Sequence, residues 1–316
     1  MKRLELESLL ADREAVRVML ASSAGDDPIG QLSFAARLAS IEEEIQRVQG
    51  AHQTTGSVAL MFAGTPVHGS RSIEADFATS VIKSFQDLIT KHVSSEEFGR
   101  LGARGRVPER TPSTLSIREL VRGSVGFVLE ETSPNAELVD TPVKKAIDEV
   151  TSVIAHAASE SEQDFEASID TLDPRMLVSL RDFFRALDDN SAGVRIVEET
   201  KDAKLDTAAV HRARIRVDAT EVADLESDAV VGELLGLLPD SRRFEMKLSE
   251  TGEVIRGTVT AVLATKWLEL IERPEEKLIG QVWRAKMRIR EVRERNRPPR
   301  NLYTLLGLIE RRERDA

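Results

Sequence analysis

The stretch from Gly56 to His92, GSVALMFAGTPVHGSRSIEADFATSVIKSFQDLITKH, constrains the fold more than any other. An unbroken apolar run, Val58 to Ala63, ends in the turn signal Gly64-Thr65-Pro66. A second short run reaches His68-Gly69-Ser70. The reading is a β-hairpin, because a short apolar run bounded by Gly and Pro suits a buried strand. Beyond it Ile73, Phe77, Val81, Phe85, Leu88 and Ile89 recur at steps of three and four, which predicts an amphipathic helix. Ser70 and Ser72 are placed to cap it, and Glu74 and Asp76 suit its positive end. His68, Ser70, Glu74 and Asp76 also mix a base, a hydroxyl and two acids, but no group there is set to orient a base, so capping is the reading kept.

N-terminal to this core, Leu6, Leu9, Leu10, Val16 and Leu20 mark one helix, and a second opens at Asp27-Pro28. In the second, Phe34, Leu38, Ile41, Ile45 and Val48 follow steps of 4, 3, 4 and 3, a short heptad seam. Two helices joined by a short break predict an antiparallel hairpin over residues 1–52. Its seam needs cover, either from the rest of the chain or from a protein partner. Phe34, Leu38, Ile41 and Ile45 are the residues through which the protein would self-associate.

Residues 53–190 read as an α+β domain of two β-hairpins and several helices. The second hairpin runs through Thr114–Val121 and Val125–Leu129. Helices open at Thr141-Pro142 and Asp173-Pro174, where an N-cap precedes a first-turn proline. Between them and the first helix lies a Gly/Arg segment, 98–110, read as a mobile loop. Its Arg104 and Arg106 are candidate anion ligands, since glycine lets backbone amides approach a phosphate. It matches neither the Walker nor the GxGxxG pattern.

After Asp188-Asp189-Asn190 short alternating segments predominate, so 191–316 is expected to be a β-rich small barrel of OB or SH3 type. Residues 222–238 read as mixed helix and loop. Two segments alternate cations with apolar residues. In 210–217, Arg212, Arg214 and Arg216 oppose His211, Ala213, Ile215 and Val217. In 281–292, Arg284, Lys286, Arg288 and Arg290 oppose Trp283, Ala285, Met287 and Ile289. Read as strands, both place cations about 6.8 Å apart, a spacing that would follow a nucleic-acid backbone. The simpler purpose of such rows is a solvated, aggregation-resistant sheet face.

The absence of cysteine excludes disulfides, thiolate catalysis and Cys-bound metals. The histidines have no metal-ligand spacing. No cofactor, metal or catalytic set is expected, and no membrane span. Net charge is −10, yet residues 281–316 carry eleven Lys and Arg against five Asp and Glu. The expectation is an α+β cytoplasmic protein for binding or assembly. Nucleic-acid binding on the arginine rows, and an enzyme with dispersed carboxylates and arginines, are the alternatives.

Overall fold

The computed structural model describes residues 2–22, 28–50, 53–99, 101, 105–109, 111–121, 125–132, 139–238, 241–260, 263–264, 267, 278–293 and 298–312. The chain divides into two compact units, Met1–Val217 and Asp218–Ala316.

In the first unit, β1 (Ser57–Gly64) is the centre of a five-stranded sheet. It lies between β5 (Val125–Glu131) and β6 (Ala192–Val197), with β4 (Leu115–Leu120) and β7 (Asp202–Leu205) at the edges. Every pairing in this sheet is antiparallel. The unbroken apolar run of β1 follows from its position, for Val58 through Phe62 are all buried and so both faces of the strand are covered. On one face Phe62 meets Phe77 edge-on, with ring centroids 5.4 Å apart. Phe77 belongs to α3 (Ala75–Phe98), which packs with α4 (Pro142–Ala158) and α6 (Pro174–Asp189). Phe85, Phe183 and Phe184 form the aromatic centre of those helices. Thr141 caps α4 and Asp173 caps α6, each ahead of a proline, as the sequence indicates.

The opposite face carries Ala59, Met61, Val128 and Val197, and Leu4 packs against them. Leu4 lies in α1 (Lys2–Ser22), which forms the expected antiparallel hairpin with α2 (Pro28–Gly50). Ile41, Ile45 and Val48 are buried within the chain. The seam is therefore covered in cis over its C-terminal half, while Phe34 and Leu38 are only half-buried.

A charged cluster fixes α1 to the sheet. Arg195 on β6 reaches Glu7 at 3.1 Å and Asp202 on β7 at 2.6 Å, and Arg3 stands 3.5 Å from Asp202. The hydrogen bond from Arg195 holds the Asp202 carboxyl below its usual range, and the same bond raises Arg195 above its own. An acid whose folded pKa is depressed stabilises fully above its unfolded pKa, and that contribution is lost as pH falls through the folded value. The tie thus holds at neutral pH and fails only in acid, below about pH 4. Arg195→Ala should speed amide exchange in α1 at neutral pH, as strong acid does in the wild type. Protection of α1 that is unchanged in the variant would refute this tie.

Three local expectations are corrected. The run after Gly64-Thr65-Pro66 does not fold back onto β1: β2 (Val67–His68) pairs with β3 (Ser72–Ile73) in a separate two-stranded ribbon. Ser72 is therefore in a strand, and Glu74 holds the N-cap of α3 without a side-chain hydrogen bond. A short helix not foreseen, α5 (Glu162–Thr171), opens on Ser161, whose hydroxyl accepts from the Asp164 amide. Residues 191–217 complete the first sheet and its helical layer rather than opening the barrel, because β6 pairs directly with β1.

The second unit is a closed five-stranded barrel in the order β10-β12-β11-β8-β9. Its strands are β8 (Glu221–Leu238), β9 (Arg243–Leu248), β10 (Val254–Val259), β11 (Val282–Arg293) and β12 (Arg300–Arg312). Residues 222–238 are thus one long strand, not helix and loop. Register shifts at Leu234/Gly236 and Ala285/Met287 interrupt strict alternation, and such bulges let long strands coil into a closed wall. Leu234, Phe244, Met246, Ile255, Met287 and Leu305 fill the interior.

Candidate functional site

The first arginine row is not on a strand. Residues 207–218 form α7, and the arginines diverge around it. Asp206 accepts from the Ala209 amide at 2.8 Å at its N-terminus, and Val210, Ala213 and Val217 are its buried stripe. The helix follows from residue type: three alanines and several arginines are strong helix formers. The period-two pattern of arginine here is incidental.

Arg212 and Arg216, one turn apart, face the C-terminus of α4. Arg212 donates to the Ala158 carbonyl at 2.9 Å, and Arg216 to those of Ala157 at 2.8 Å and Ser159 at 2.9 Å. Arg216 also lies over the Phe165 ring, 5.4 Å from its centroid. The last carbonyls of a helix have no internal partner and carry partial negative charge, so guanidinium groups stabilise them. Arg214 points elsewhere and pairs with Asp188, at 2.9 Å, and with Asp189. Those carboxylates occupy the last turn of α6, where the helix dipole disfavours negative charge, and Arg214 offsets it. Its own pKa is raised by the Asp189 hydrogen bond.

The second row does lie on a strand, as expected, but its charges are matched. Arg284 stands 3.8 Å from Glu310 on β12, while Lys286 and Arg288 share Glu226 on β8 at 3.6 and 3.4 Å. The inward pattern of Ala285 and Met287 also breaks, for Arg290 rather than Ile289 is the buried residue beyond them. Arg290 sits opposite Asp224 and Leu302 in the register. The neighbours of β11 in the barrel are β8 and β12, and the first arginine set is on no strand of that sheet.

In the Gly/Arg segment, Arg104 lies outside the described residues, and Arg106 is exposed. Residues 105–109 are tied to the helices: Arg175 donates to the Gly105 carbonyl at 2.9 Å and Ser94 to that of Pro108 at 2.6 Å. His68 and Glu74 are 3.6 Å apart on the surface, both more than half exposed.

Sequence reading did not single out three polar pairs. Lys91 on α3 donates to Ser179 on α6, and burial lowers its pKa. A lysine–serine pair of this kind can activate a nucleophile. Here Ser179 is 2% exposed in the interface between two helices, so its hydroxyl is not presented to a substrate. His156 and Ser168 join α4 to α5 at 2.8 Å, with Ser168 also buried. His92 approaches Glu149 at 3.2 Å, and that contact lowers the Glu149 pKa. All three pairs cross-link helices. Among the described residues no group of three or more His, Asp or Glu could hold a metal ion, and no helix is long and apolar enough to cross a membrane.

Two of the open surfaces among the described residues combine exposed apolar side chains with room for a partner. At the distal end of the helical hairpin, Val18, Met19, Ile29 and Leu32 are 63%, 50%, 81% and 73% exposed. On the barrel, β8, β9 and β10 border a cleft of about 670 Å³ that also takes in Ile279. Neither could be found from periodicity alone: the first adjoins the hairpin turn, and the second depends on which strands become neighbours.

The chain is thus a mixed α+β protein with an N-terminal helical hairpin and a C-terminal closed barrel. Comparison with protein families, with curated proteins and with solved structures returns no match.

Proposed function

We propose that this is a cytoplasmic, non-enzymatic assembly protein that associates with a second copy of itself through the distal half of its helical hairpin, with the C-terminal barrel as a further interaction module. The observation that carries this reading is the exposed cluster Val18, Met19, Ile29 and Leu32, beside the half-buried Phe34 and Leu38. Burying such side chains is worth about 1.5–3 kcal/mol each, so leaving them in water is unfavourable. The occupant follows from the pair of helices. Ile41, Ile45 and Val48 are covered within the chain, whereas Ile29 and Leu32 lie on the other side of α2 and Val18 and Met19 on the paired α1, so both helices carry exposed apolar residues. A second hairpin laid antiparallel against them completes a four-helix bundle, the usual way to cover such a pair. The lack of cysteine suits a reducing compartment.

Light scattering tests this. The wild type should exceed the monomer mass, and Ile29→Glu with Leu32→Glu should reduce it to a monomer with unchanged circular dichroism. A monomeric wild type would end the self-association reading.

A further inference from the structure

The cleft on the barrel has the chemistry of a ligand site, and we infer that it binds a small amphipathic carboxylate, an apolar chain ending in a carboxyl group. Its base is the backbone of β8 and β9 around the register pair Leu237 and Phe244, whose own side chains are buried in the barrel core. Leu238 and Ile279 stand at its mouth, 61% and 51% exposed. The position of Ile279 is fixed by its neighbours: the Gly280 amide donates to the Leu234 carbonyl at 2.7 Å, and Trp283 donates to that of Leu278 at 3.0 Å.

The polar groups determine the sign of the ligand's charge. Glu245 is matched by Arg256 at 2.8 Å across β9 and β10. Arg243, on the same rim, is exposed, and its guanidinium makes no hydrogen bond or ion pair with any described residue. Among the described residues the cleft therefore offers Leu238 and Ile279 as exposed apolar contacts and one unmatched guanidinium, whose planar fork fits a carboxylate in bidentate fashion. Its volume of about 670 Å³ falls within the range of small-molecule sites.

Gly236 supplies a direct control. A Cβ built there meets only the Glu245 side chain, at 3.9 Å, and its backbone needs no positive φ. A larger residue at 236 thus fills the cleft without disturbing the strand. This site does not depend on hairpin association, and the Ile29→Glu, Leu32→Glu variant should keep it.

The experiment is calorimetric titration of the full chain with decanoate, below its micelle-forming concentration, and with decanol. One saturable decanoate site is expected, with decanol binding at least about tenfold more weakly, since a charge-assisted contact is lost. Arg243→Gln should weaken decanoate by a similar factor, and Gly236→Leu should block it. Should Gly236→Leu misfold, Ile279→Asp at the exposed mouth provides the second test and should also block binding. Absence of decanoate binding, equal binding of decanol, or Arg243→Gln matching the wild type would each overturn the inference.

Discussion

The variant Gly257→Ala should lose the C-terminal barrel while residues 1–217 stay folded. A Cβ at 257 would stand 2.0 Å from the Tyr303 carbonyl oxygen and 2.7 Å from the Phe244 ring. The first of these is backbone, which cannot step aside as a flexible side chain does. The contact falls where the barrel closes, and β10 pairs with β12 over only three register positions, Gly257–Tyr303 to Val259–Leu305. Overpacking a fitted site costs about 1–3 kcal/mol, and the short closure leaves little pairing to absorb it. The two signals report mainly on different units. Both tryptophans, Trp267 and Trp283, lie in the second unit, whereas α1 to α7 lie in the first but for Asp218, the last residue of α7. Tryptophan fluorescence should show a transition at much lower denaturant while helical circular dichroism keeps its midpoint. Coincident shifts in both signals, or none, would refute the independence of the barrel.

The double variant Arg212→Ala, Arg216→Ala should destabilise the first unit by about 3 kcal/mol, because hydrogen bonds from charged donors contribute about 1.5–3 kcal/mol each and the freed carbonyls at the end of α4 lie close to the core. Ala157 and Ala158 are buried, so water replaces the lost donors poorly. Arg47→Ala on exposed α2, which removes only a surface pair with Glu44, should change stability by less than about 1 kcal/mol. The helical signal should shift and tryptophan fluorescence should not. If the arginines were solvated on a sheet face, the double variant would match the Arg47→Ala control.

Where the sequence proved readable, physics was local. β1 stands out because a strand covered on both faces must be apolar throughout, and α4 and α6 because an N-cap and a first-turn proline mark their starts. The hairpin could be read from its seam, though not that cover would reach Ile41, Ile45 and Val48 and leave Phe34 and Leu38 half-buried. The failures were non-local. Arginine at every second position of 212–216 satisfies a strand template, but the alanines and the Asp206 cap favour a helix, and only the ends of α4 and α6 explain the cations. β8 was hidden because its bulges and acidic positions disturb alternation, and its β11 partners arrive as far on as Arg293, the partner of Glu221. The barrel cleft could not be read at all, because Ile279 joins the lining from β8, β9 and β10 only in the folded barrel.

With Arg214, Arg216, Arg284 and Arg288 engaged inside the protein, its association should be apolar. Sedimentation equilibrium of the wild type across a salt series, from dilute buffer to about 1 M, tests that most directly, since high salt screens exposed charges and leaves hydrophobic contacts intact. The expected result is an assembly above the monomer mass that persists or tightens as salt rises. A monomer throughout, or an assembly that dissolves with salt, would contradict association through Val18, Met19, Ile29 and Leu32.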